Sequence, residues 1–351
     1  MKNENAIGFA CAYTPLALIH AAGFTPYRVL PVGDNPDQAG RLLHDNLCPH
    51  VKRILDRAMS NDLPDLSGMI FMNSCDAMRR LADAWRIARP EIKSALVDLP
   101  VTTAENDIHF LTDELKRTAD LLTAWGGKPY SPEALITGIR AYNQLADRFR
   151  QLRESVRDNT IKQGTGALQK AYLEASCMAP ERMLPVLDDL LALKDEHPAD
   201  DGVPVYLFGN MLPDIDAMDL FAECGARIIV DDLCTGSRMF PPITVTTDAG
   251  DDLLHEYARE LMNRPACART MNPARPGKLA ADIVADAGRC RAKGVIGHTV
   301  KFCDPYLARL PGIRAELKKE GIPFLLLEGD CTVRSMGQQK TRIEAFIEML
   351  R

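Results

Sequence analysis

The chain has 351 residues, long for one hydrophobic core and suited to two α/β domains. Its 46% hydrophobic and 26% charged content is that of an ordinary globular protein and excludes a disordered one. A net charge of -6 without any Lys/Arg block excludes a nucleic-acid or anionic-membrane binder, leaving proteins and small molecules as partners.

In chain order, apolar strand patterns at residues 6–13 (AIGFACAY), 25–32, 67–74 and 94–101 alternate with helical patterns at 37–60 (DQAGRLLHDNLCPHVKRILDRAMS) and 76–88. This rhythm predicts a parallel α/β domain over 1–106. Residues 107–199 read as a helical connector, with helices at 110–125, 131–160 and 179–196 and the Gly-rich KQGTGALQK between two of them. The strand-helix rhythm then resumes, with strands at 205–210, 226–232, 294–299 and 323–329 and helices at 214–225, 251–264, 276–294, 304–321 and 338–350. A second α/β domain over 200–351 follows, and no repeat suggests a solenoid. No P-loop, Rossmann glycine fingerprint, C-x-x-C, H-E-x-x-H or G-x-S-x-G occurs.

The N-terminal MKNENAIGFACAYTP lacks the apolar core of a signal peptide, and no apolar run reaches the ~18 residues of a membrane span, so a cytoplasmic protein is expected. In a reducing compartment the ten cysteines are expected to serve metal ligation, redox chemistry or packing rather than disulfides. Cys11, Cys177, Cys224 and Cys290 fall in or beside apolar runs and read as small buried hydrophobes. The other six, Cys48, Cys75, Cys234, Cys267, Cys303 and Cys331, sit at helix beginnings or where the chain turns. Strand carboxyl ends carry the sites of parallel α/β domains, and helix N-termini favour thiolate, the form that ligates metal. Taken singly, each is most simply a packed or half-exposed thiol. Taken together, they point first to an iron-sulfur site and second to zinc, which usually takes more closely paired ligands.

The segments LCPHVKRIL, NSCDAMRRL, DDLCTGSR, GVIGHTVKFCDPY, GIPFLLLEGD and GQQKTRIEAFIEML resemble the 2-hydroxyacyl-CoA dehydratase and benzoyl-CoA reductase superfamily, which includes double-cubane cluster proteins. The resemblance implies two flavodoxin-like domains with an iron-sulfur cluster in the cleft between them. Carried over residue by residue, Cys48, Cys75 and Cys303 match the three ligands of a 4Fe-4S cluster. Cys234, Cys267 and Cys331 would complete six ligands for an 8Fe-9S double cubane, although EGDCT around Cys331 departs from the family's usual acidic and aromatic residues there.

The resemblance further implies a separate ATP-dependent iron-sulfur activator that supplies single low-potential electrons, and a dimer with an identical or related chain. A double-cubane member would reduce a small molecule. A dehydratase or reductase subunit would instead act on an acyl-CoA through a ketyl radical. A subunit that only transfers electrons and a cluster-free α/β binding protein are the competing classes. His298 and Lys301 flank the strand before Cys303 and are expected to be solvated, Arg238 is expected to pair with Asp231 or Asp232, and Arg342 lies on a solvated face of the last helix. None of these four is read as catalytic.

Overall fold

Among the described residues eight short apolar runs form strands that pair only in parallel, giving two four-stranded sheets. The computed structural model describes residues 5–160, 164–193, 202–246, 252–331 and 339–351. The first sheet takes β1 (Ala6–Phe9), β2 (Thr25–Arg28), β3 (Leu66–Asn73) and β4 (Ser94–Asp98) in the order β2-β1-β3-β4. The second takes β5 (Val203–Gly209), β6 (Ala226–Asp232), β7 (Gly294–Val300) and β8 (Phe324–Gly329) in the order β6-β5-β7-β8. Both follow one permutation, so each has a topological switch point, between β1 and β3 and between β5 and β7, where successive crossovers diverge and leave a crevice at the strand carboxyl ends.

Central strands of parallel sheets are covered on both faces and read as unbroken apolar runs. All seven residues of β7 are accordingly buried, including His298, which is 1% exposed. His298 is therefore not the solvated strand-end residue that its position in the sequence suggests. Helices α1 (Leu16–Ala21), α2 (Pro49–Met59) and α3 (Asp76–Ala88) belong to the first sheet's crossovers. The connector supplies α4 (Glu105–Ala124), α5 (Pro132–Arg157), α6 (Gly164–Ala175) and α7 (Pro180–Ala192). In the C-terminal half lie α8 (Asp216–Glu223), α9 (Leu253–Asn263), α10 (Lys278–Arg289), α11 (Asp304–Lys319) and α12 (Lys340–Leu350).

Three sequence expectations change. The helix read over 37–60 is a short 3-10 turn at Ala39–Arg41 followed by α2 alone. Pro49 explains the break, because a proline favours the first helical position and drives the residue before it out of the helical region; Cys48 has φ -64 and ψ 149. The Gly-rich stretch at 162–170 is not a mere link, since α6 begins at Gly164; residues 162 and 163 lie outside the described residues. Helix α9 comes from the C-terminal half, yet it buries Leu253, Leu254, Tyr257, Ala258 and Leu261 in the same core as α1, α4 and α5. The expected helical ends at 194–196, 251 and 338 also fall outside the described residues.

At Gly209 the backbone of β5 meets β7 so closely that an added Cβ would lie 1.9 Å from the carbonyl oxygen of His298. Gly209→Ala is expected to lower stability by at least the ~1–3 kcal/mol of ordinary overpacking, because backbone rather than a movable side chain must yield. Gly312→Ala, where nothing lies within 4 Å of the added Cβ, should be neutral or stabilising. Thermal unfolding of both variants checks the contrast; equal melting temperatures would contradict it.

Candidate functional site

The carboxyl ends of both sheets open on one cleft with about 810 Å³ of atom-free space, part of it open to solvent. Six cysteines line it, and each half of the chain contributes three: Cys11, Cys48 and Cys75 from the first, Cys234, Cys267 and Cys303 from the second. Cys11 follows β1 and Cys75 follows β3, so these two flank the first switch point. Cys303 follows β7, while Asn210 and Met211 continue β5 into the lining, so the second switch point is used in the same way. Cys234 follows the edge strand β6, but its amide donates to the carbonyl of Asn210 at 2.8 Å and brings it back to the end of β5.

Three of these thiols are built alike. Cys48, Cys75 and Cys303 are the N-cap residues of α2, α3 and α11, with prolines in the first turns of α2 and α11. Their side chains close no capping hydrogen bond of good geometry, yet the amides of Val51, Met78 and Tyr306, each three residues on, face the sulfurs and favour thiolate. Burial outweighs those amides and pushes all three thiols up to about 11. At neutral pH they carry protons until a metal displaces them. Cys267 goes the other way: it accepts a hydrogen bond from the Cys234 thiol, which brings it down to about 7, with the Arg238 guanidinium adding to the effect, while Cys234 itself is raised.

Four arginines, Arg28, Arg238, Arg264 and Arg269, share the lining, and among the described residues no carboxylate does. Arg238 has its counter-charge in Asp232, at 2.5 and 2.6 Å, which settles the expected choice between Asp231 and Asp232. Its Nη1 also donates to the Tyr306 hydroxyl at 2.7 Å. Arg28 is 1% exposed; it donates to the Cys234 carbonyl at 2.6 Å and faces the sulfurs of Met239 and Met211, while its Nε has no partner. Arg264 donates to the carbonyls of Ala12 and Arg238 and lies over the Tyr13 ring. Among the described residues neither has an acid beside it, and burial lowers the pKa of both. A guanidinium stays charged even so, and an unpaired buried charge is strongly destabilising, so the cleft is prepared for an anion.

The donor set is soft thiolate throughout, which suits iron-sulfur clusters or thiolate-bound zinc rather than hard, oxygen-seeking cations. A second opening, toward solvent, shares Cys48, Cys75 and Cys303 with the cleft but not Cys11, Cys234 or Cys267. The exposed side chains of Val101 and Phe302 stand at this mouth.

Five of the six cysteines singled out from the sequence thus meet in the cleft. Cys331 does not line it: 1% exposed, it belongs to the apolar core that also holds Cys48, and burial, then Cys48, pushes its thiol up. Cys11, read as a buried hydrophobe, lines it instead. His50 also belongs to the lining and was passed over; burial, and then Arg28, pushes it down to about 3, so its ring is neutral. Lys301 and Arg342 are exposed, as expected. Cys177 donates to the Arg28 carbonyl at 3.4 Å, and Cys224 is buried against α12.

Comparison with known proteins gives one consistent result. The family profile of the 2-hydroxyglutaryl-CoA dehydratase D-component matches residues 11–350. The (R)-phenyllactyl-CoA dehydratase beta subunit of Clostridium sporogenes is 25% identical, over 99% of this chain and 92% of its own. The lactoyl-CoA dehydratase beta subunit of Anaerotignum propionicum is 24% identical over the same shares, 99% and 92%. One of the benzoyl-CoA reductase subunits of Thauera aromatica is 22% identical, over 92% of this chain and 85% of its own.

The thiol pKa values predict an order of reactivity in metal-free protein. Near neutral pH, iodoacetamide should alkylate Cys267 well before Cys48, Cys75 and Cys303, and its rate should fall as pH drops below about 7. Peptide mass spectrometry over a time course measures this. Labelling of the three helix-capping cysteines as fast as Cys267 would contradict the assignment.

Proposed function

The chain belongs to the 2-hydroxyglutaryl-CoA dehydratase D-component family and is an enzyme of the dehydratase and benzoyl-CoA reductase superfamily, and from that premise we propose that its cleft holds a double-cubane iron-sulfur cluster. In this reading the protein receives low-potential electrons from a separate ATP-dependent activator and reduces a small molecule. One observation carries the proposal: six cysteine side chains, three from each half, line a single cleft, and a double cubane needs six thiolates where a single cluster of this superfamily needs three.

The residues present fit such a group. Among the described residues the buried guanidiniums of Arg28 and Arg264 lack carboxylate partners and the Nε of Arg28 is unsatisfied, as expected of a pocket whose counter-charge arrives with a polyanionic cluster. Cys11, Cys48, Cys75, Cys234, Cys267 and Cys303 would hold it, and when bound it would supply one-electron reduction at low potential. The chain's own groups do the rest. Arg28 and Arg264 offset negative charge and so draw the potential upward, Met78, Met211 and Val300 keep water from the inner wall, and the neutral His50 adds no positive charge. The mouth beside Cys48, Cys75 and Cys303 is the side from which substrate would approach.

That same mouth favours a second reading, because it exposes only the three cysteines that a single 4Fe-4S cluster would use. The chain would then be one subunit of a 2-hydroxyacyl-CoA dehydratase or benzoyl-CoA reductase, paired with a related subunit and acting on an acyl-CoA, as the names of its relatives suggest. In either reading the protein works in the cytoplasm as a dimer. Among the described residues no helix is long and apolar enough to cross a membrane.

Iron and acid-labile sulfide in anaerobically purified protein separate the two readings. About eight irons per chain are expected for the double cubane; about four would overturn it in favour of the single cluster. Cys11→Ala and Cys234→Ala should each reduce the iron content markedly, and Cys331→Ala should leave it unchanged. Arg28→Met should move the midpoint potential negative by roughly 60 mV or more, the one-electron equivalent of about 1.4 kcal/mol. An unchanged potential in a fully loaded Arg28→Met protein would remove the electrostatic role given to Arg28.

A further inference from the structure

Away from the thiol cleft, and sharing no residue with it, a second set of ligating side chains lies where α4 meets α9. Glu105 and His109 stand one turn apart at the start of α4, and His255 faces them from the first turn of α9. The Nε2 of His255 lies 2.9 Å and the Nε2 of His109 3.9 Å from Oε1 of Glu105, and one ligand atom from each of the three lies within 4.8 Å of the others. Zinc bonds of ~2.1 Å in a tetrahedral site put neighbouring ligand atoms roughly 3.4 Å apart, so these spacings need only small side-chain rotations to close on one ion.

A second feature concerns the orientation of His255. The hydroxyl of Thr112 donates to the Ile108 carbonyl at 2.8 Å and lies 3.1 Å from Nδ1 of His255, so Nδ1 is the donor in that pair. A fixed Nδ1–H partner is what orients a metal-binding histidine and leaves Nε2 free to ligate. That nitrogen lies 2.9 Å from the Glu105 oxygen, a spacing that needs a proton on Nε2 or a cation beside the pair. Arg259 supplies the cation: its Nη2 sits 2.8 Å from Oε1 of Glu105 and 2.9 Å from Nε2 of His255. The Arg259 side chain is 43% exposed and free to swing into water, and the Glu105 and His109 side chains are open to solvent.

We propose that Glu105, His109 and His255 form a binding site for a divalent transition metal of the zinc class, which ties α4 to α9 and displaces the Arg259 guanidinium. Two imidazoles and one carboxylate suit zinc, nickel or copper and disfavour calcium and magnesium. The fourth position faces solvent and would be filled by water. Because α9 comes from the C-terminal half of the sequence and α4 follows the first sheet, the ion would clasp two parts of the chain that are distant in sequence.

Zinc binding to the anaerobically purified protein, followed by isothermal titration in the wild type and variants, tests the site. Differences between proteins remove any contribution from the cysteines, which all of them share. The wild type should bind about one equivalent that His109→Ala and His255→Ala each weaken by about tenfold or more. Arg259→Ala, which removes the competing cation, should tighten binding; this gain cannot come from misfolding. Zinc should also raise the melting temperature of the wild type but not of the His109→Ala/His255→Ala double variant. Equal zinc affinity in the wild type and the histidine variants, or no tightening in Arg259→Ala, would overturn the site.

Discussion

Two buried guanidinium groups without carboxylate partners among the described residues, Arg28 and Arg264, set the terms for this molecule. A charge removed from water without a counter-ion is strongly destabilising, and the six thiols in the same cleft can answer it only as thiolates. The arginines also cross between the halves of the chain. Arg28, at the end of β2, donates to the carbonyl of Cys234, and Arg264, in the C-terminal half, donates to that of Ala12. Arg269 donates to the carbonyls of Ser74, Leu99 and Pro100. The groups that make the cleft positive are thus among those that hold its two walls together.

Topology explains why thiols so far apart in sequence converge. Both sheets use the same strand permutation, and each opens its switch point at the carboxyl ends of its second and third strands. The chain leaving β3 and β7 passes through a cysteine directly into a helix, so Cys75 and Cys303 arrive with first-turn amides already aimed at sulfur; Cys48 does the same at α2. Those amides do not overcome burial in the metal-free protein. They act once metal has displaced the protons, when each sulfur is negative and every N–H facing it becomes stabilising.

Much of this was legible in the sequence, for identifiable reasons. The alternation of apolar runs with amphipathic segments announced both parallel sheets, and the Cys-Asp-Pro step placed Cys303 at a helix start, whereas the helix read over 37–60 ran through Cys48 and hid the start that Pro49 makes there. The distinction between Cys11 and Cys331 was not legible, because it depends on strand order. Both follow strand patterns, but β1 is interior, beside β3 at the switch point, whereas β8 is an edge strand and Cys331 just after it is buried in the core. The burial of His298 was hidden for the same reason, since it depends on β7 being an interior strand, with neighbours on both edges and a packed core on each face. Nor could local pattern reveal that α9 would leave its own half to pack on α4, or that His255 would meet Glu105 and His109 there.

The most direct test of the central claim is an anaerobic crystal structure of the iron-loaded protein, with iron located by its anomalous scattering. The account predicts iron bonded to the sulfurs of Cys11, Cys48, Cys75, Cys234, Cys267 and Cys303 in one continuous cluster, beside the guanidinium of Arg28. Iron confined to Cys48, Cys75 and Cys303, or bonded to Cys331 in place of Cys11, would contradict it.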